Sequence, residues 1–164
     1  MGDADTDVLE TLTWLGAPLA GHRPARRLPT DEALVRSLEV ARHDATLLVL
    51  LPLVFSRLTR AEVPPDWGRL RAKVASSRDD SYRRELGLVF ELAGKLGRAS
   101  ELSDQARQLH QDGDADHFDF LVEPRGPRGR ELARRSSPPE ARHWGFFLNM
   151  PEASFRRVFE KFGA

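Results

Sequence analysis

Apolar residues recur at helical spacing along most of the chain. Val8, Leu9, Leu12 and Leu15 predict a short amphipathic helix over 6–15. Residues 16–29, with three prolines and two glycines, read as a loop or arm. Thr30 can then cap a helix whose apolar stripe is Leu34, Val35, Leu38 and Ala41. The next segment, ATLLVLLPLVFSRL, is apolar on every side and should be the most buried element. A helix capped by Asp44 and kinked at Pro52 explains all of it, whereas a strand over 46–51 explains half.

Further along, Asp66 caps a helix bearing Trp67, Leu70 and Val74. Asp79 or Asp80 caps another that ends at Gly97, and Ser100 begins a third. Phe118 and Phe120 alternate with polar neighbours, a pattern for a short strand near 117–122. Pro124, Gly126, Pro127 and Gly129 break regular structure, so 123–136 reads as a basic Gly/Pro/Arg loop. Ser137-Pro138 starts a helix with Trp144, Phe147 and Leu148 on its apolar face. A last helix from Pro151 aligns Phe155, Val158, Phe159 and Phe162. The expected fold is all-α, one domain over 1–164 with about seven to eight short helices. No internal repeat emerges.

Composition narrows the classes. At 40% hydrophobic and 30% charged, the 164 residues have a globular balance. The absence of cysteine excludes disulfides, thiolate metal sites and cysteine nucleophiles. The acidic start MGDADTDVLE lacks the apolar region of a signal peptide, and no apolar run approaches the roughly 20 residues of a membrane span. A cytoplasmic protein without membrane contact is the expectation. Positive and negative residues balance at 25 each, so no overall field favours nucleic acid. The charge is uneven, however: acidic at the beginning, basic at 22–27 and 125–142, and almost all of the positive charge is arginine.

Three patterns invite chemistry. Asp112, Asp114 and Asp116, with Glu123 at the twelfth place, match the oxygen ligands of a calcium loop. Yet the sixth place, which needs glycine for its turn, holds His117, and no helix follows. His43-Asp44 resembles the doublet of HD-type metal phosphohydrolases. There it tends to end an apolar helix, whereas here it precedes one and Asp44 has a capping role. Arg36 and His43 fit the spacing of helical HEPN ribonucleases, a pairing expected by chance in a chain this rich in arginine. Nucleotide-binding glycine loops and the serine nucleophile elbow are absent. No catalytic residue, metal ligand or cofactor is assigned.

The sequence therefore points to a non-enzymatic, helical interaction or regulatory module, such as an antitoxin-like or adaptor protein. Arg125, Arg128, Arg130, Arg134 and Arg135 would contact a protein partner through bidentate pairs. Phe146, off the main apolar face and next to Gly145, would add a contact, and an exposed remainder of the C-terminal aromatics would mark an oligomer or partner surface. The alternatives are a metal- or phosphate-dependent hydrolase using His43 and Asp44, and nucleic-acid binding through the 125–135 arginines.

Overall fold

The segment with no polar face lies deepest. Helix α3 (Ala45–Leu58) buries Leu47, Leu48, Leu51, Val54 and Phe55 and runs through Pro52 without interruption. Proline inside a helix costs about 3 kcal/mol, so surrounding packing must hold this one in place. The strand alternative for 46–51 is thereby settled in favour of a helix. A computed structural model describes residues 2–111 and 118–163. Among them are nine helices and one two-stranded sheet, a mainly helical architecture as expected from periodicity.

Helices α1 (Asp3–Trp14) and α2 (Thr30–Ala41) pack together, and α2 packs on α3. The connecting arm is not free: Thr11 Oγ1 accepts the backbone N–H groups of Arg27 and Leu28, both at 3.1 Å, and Arg27 pairs with Glu10. Helices α4 (Trp67–Ala75), α5 (Asp80–Leu96) and α6 (Ser100–Gln111) come next. The aspartates expected as caps perform that role. Asp44 accepts from Thr46 and Leu47, Asp66 from Arg69 and Asp79 from Ser81, each worth about 0.5–2 kcal/mol. Thr30 does not cap, since Pro29 occupies the N-cap position.

Helix α5 is the axis, touching α3, α4, α6, α8 (Pro139–His143) and α9 (Glu152–Phe162). Phe55, Trp67 and Phe90 meet with ring centroids 5.6–5.9 Å apart and join α3, α4 and α5. Gly87 and Gly94 explain how α5 gets so close to its neighbours. A side chain at Gly87 would overlap the Trp144 ring, and one at Gly94 would meet the Ser103 backbone nitrogen at 2.8 Å. Mid-helix glycine costs about 0.5–1 kcal/mol against alanine, and here the close approach offsets it.

The second half departs most from the sequence pattern. Residues Gly126–Ser136, expected as part of a loop, form helix α7. Pro127 sits at the first turn, where its missing N–H has no intrahelical role, and the residues after it favour a helix. Ser137 closes α7 instead of opening a helix, its hydroxyl accepting the Leu148 N–H at 2.7 Å. The helix after it stops at His143 because Gly145 turns at φ +77°. Phe146–Phe147 then form β2, parallel to β1 (Asp119–Phe120), with Asp119 opposite Phe146. Among the described residues no helix is long and apolar enough to cross a membrane.

Gly87→Ala should lower stability by about 1–3 kcal/mol despite alanine's better helix propensity. Urea unfolding measures this; an unchanged or raised midpoint would contradict the close seat of Trp144 on α5.

Candidate functional site

Arg84 begins the site. It stands in the first turns of α5, is 2% exposed, and a buried guanidinium must be paired. Its Nη1 donates to the carbonyls of Trp144 and Gly145, at 3.3 and 3.1 Å. Its Nη2 donates to Asp119 Oδ2 at 2.5 Å, and its Nε lies 3.5 Å from Asp80 Oδ2. The guanidinium carbon stands 4.8 Å from the centre of the Phe146 ring. One side chain thus pins β1 and the turn into β2 against α5.

Above it opens a polar cavity of about 570 Å³, lined by groups that include Arg42, His43, Arg78, Asp79, Asp80 and Asp119. Its carboxylates are engaged by cations. Asp80 pairs with Arg83 and Arg84, Asp119 with Arg84, Glu123 with Arg130, and Asp79 lies 3.6 Å from Arg42. A hydrogen bond from Arg83 holds the Asp80 carboxyl below the usual carboxylate range, and bonds from Ser81 do the same for Asp79. Carboxylates so held make poor proton donors near neutral pH.

Next to Arg84 on α5, Glu85 is completely buried. Arg42 Nε reaches its Oε2 at 2.9 Å, while Oε1 has no hydrogen-bond partner. Arg42 also donates to Ser81 Oγ and covers the Tyr82 ring at 3.8 Å, which clamps the end of α2 onto α5. Burial pushes the Glu85 carboxyl up to about 8, and the pull of Arg42 offsets only part of that. The Glu85 carboxyl, which can exchange a proton near neutral pH, is therefore shut off from solvent.

The sequence candidates land unevenly. His43 reaches the rim of this cavity beside the acids, but Asp44 is committed to the backbone of α3. Arg36 pairs with Glu32 and lines a separate, smaller hollow. Asp112, Asp114 and Asp116 lie outside the described residues; among the described ones no three His, Asp or Glu side chains are placed to hold a metal ion. Phe146, expected as a surface contact, is corrected: it is 1% exposed, because it forms the floor under Arg84.

The five arginines do share one region. Arg128, Arg130, Arg134 and Arg135 ride on α7, with Arg125 as its N-cap residue, and all five are exposed. Arg130 and Arg134 lie over the Phe120 ring at 5.7 and 5.5 Å. Arg128, Leu132 and Arg135, at i, i+4 and i+7, share another face, where Leu132 is 43% exposed. Ala133 is the one buried residue of α7.

A second cluster has no counterpart in the sequence patterns. Glu91 accepts from Trp144 Nε1 at 2.8 Å and faces His143 Nδ1 at 3.2 Å, with His110 stacked on His143 at 4.5 Å. These groups border a cavity of about 560 Å³. The carboxylate orients the imidazole, and the two histidine rings lie stacked with planes 25° apart. With Glu91 and His143 separated by 52 positions, no local motif signals the pair.

The geometry defines a mainly helical protein with a charge-paired cleft and an outlying basic helix. No protein-family model, no curated protein and no solved structure matches this chain.

Glu85 binds its proton more tightly in the folded chain than in the unfolded one. Its stabilising contribution is therefore complete below the ordinary carboxylate range and fades as pH rises through about 8. Thermal unfolding measured from about pH 5 to about pH 9 should show this loss, and Glu85→Gln should flatten it. An identical slope in both proteins would refute the assignment.

Proposed function

We propose that this protein is a binding module that grips an acidic, partly apolar segment of a partner protein on α7. One observation carries the reading: α7 buries only Ala133 yet presents Arg128, Leu132 and Arg135 on a single outward face. An eleven-residue helix of this kind adds little to the core. Exposed arginine pairs contribute about 0–1 kcal/mol each, so charge alone gives weak binding. Covering the 43% of Leu132 that is exposed adds about 1 kcal/mol and demands an apolar group opposite. The two arginines would set register and orientation while the leucine adds an apolar anchor.

The cleft supports binding over catalysis for the same reason. Its acids are paired with arginines, and the Glu85 carboxyl that Arg42 holds is enclosed. A hydrolase built on His43 and Asp44 would need Asp44 released from its cap.

Nucleic acid is a second reading, favoured by Phe118. Its ring is 52% exposed and stacks on Phe147 at 5.0 Å, near the aromatic face that Arg130 and Arg134 cover. Single strands bind such combinations by stacking and phosphate contact.

Co-purification from the native source with Arg128→Glu/Arg135→Glu beside the unaltered chain separates these outcomes. The unaltered chain should retain a partner whose recovery falls at least about tenfold in the double variant, and Leu132→Ser should weaken it too. Recovery of no partner, or equal recovery by the variants, would defeat the proposal. A labelled oligonucleotide whose affinity depends on Phe118 and drops steeply with salt would replace the protein by nucleic acid.

A further inference from the structure

The C-terminal helix leaves part of its apolar stripe uncovered. Phe155 is buried, but Val158 and Phe162 are only partly so, and they face Val49 and Leu50 of α3 across an open groove of about 590 Å³. Arg157 and Lys161 stand on its wall, and no acidic residue among the described ones lines it. Such a groove suits an apolar group carried on an acidic surface.

The same chain presents that combination on α1. Asp3, Asp7, Glu10 and Trp14 recur at i, i+4, i+7 and i+11, opposite the face that buries Val8, Leu9 and Leu12. Glu10 is engaged by Arg27, which leaves Asp3 and Asp7 as the acids of the stripe. At the end of the stripe Trp14 is 48% exposed even with Arg26 lying 5.4 Å from its ring. Trp67 and Trp144 are both buried, so Trp14 is the exception among the tryptophans. An exposed indole is a costly surface group and a frequent anchor of interfaces.

We infer that the groove between α3 and α9 receives Trp14 of a second copy of this chain, with Asp3 and Asp7 of that copy against Arg157 and Lys161. The donor and the acceptor lie side by side, because Pro18 and Ala20, just beyond α1, form the third wall of the groove. A two-fold axis between them lets each copy give and receive the same contact, which closes a dimer and leaves no open end. The formal net charge is +0, so two copies approach without mutual repulsion. The surface is separate from α7, and neither proposal depends on the other.

Sedimentation of the full chain across the micromolar range tests this. A monomer–dimer equilibrium is expected, weakening as salt rises. Trp14→Ala and Arg157→Glu, both at exposed positions, should each raise the dissociation constant about tenfold or more with the helical circular dichroism unchanged. Acrylamide quenching of tryptophan fluorescence should fall as the dimer forms, since Trp14 is the accessible indole. A monomer at every concentration overturns the inference, as does a dimer indifferent to either substitution. A monomer whose groove instead takes a fluorescent long-chain carboxylate would also overturn it, with an amphiphile as the occupant.

Discussion

The arrangement of the second half of this protein depends on satisfying one buried charge. The guanidinium of Arg84 has almost no contact with water, and an unpaired charge in that position would cost several kcal/mol. Its Nη groups donate to two carbonyls of the turn into β2 and to the Asp119 carboxylate of β1. Those groups lie 35 to 61 positions away. Meeting the demand therefore fixes where the two short strands sit on α5. The pairing between the strands spans only two residues each, too little to hold that position alone.

Helix α7 inherits this placement. It follows β1 and leads through α8 into β2, so anchoring β1 and the turn into β2 to Arg84 limits where it can sit while leaving most of its surface in solvent. Arg130 and Arg134 then cover Phe120 of the anchored strand, which turns Arg128, Leu132 and Arg135 outward. The cleft has the same origin. Fixing Asp80 and Asp119 around one guanidinium consumes their charge in holding the fold, and what remains available to a ligand is shape and arginine.

A second buried group works alongside the first. Glu85, adjacent in sequence, takes Arg42 from the end of α2. Consecutive residues on α5 thereby gather the first and second halves of the chain, and Gly87 and Gly94 let the partners come close enough to pack. Removing water around Glu85 raises the cost of its ionised form more than Arg42 lowers it. That leaves the junction sensitive to pH without making it reactive.

Sequence alone determined most of the helices, because their signals are local. The all-round apolar run of α3, the capping aspartates 44, 66 and 79, and the stripes of α1, α2 and α9 each act within a few residues. It also located the arginines of 125–135. It misread their setting as a loop, since Pro127 and Gly129 resemble breakers when counted without their position in the first turn. It expected Phe146 at the surface, because nothing nearby reveals that Arg84, 62 positions earlier, will lie on its ring. The pairing of Glu91 with His143, the enclosure of Glu85 and the neutralised acids of the cleft were likewise decided by tertiary structure. Each depends on which distant groups share a water-free space, and burial and charge pairing exist only once the helices have packed.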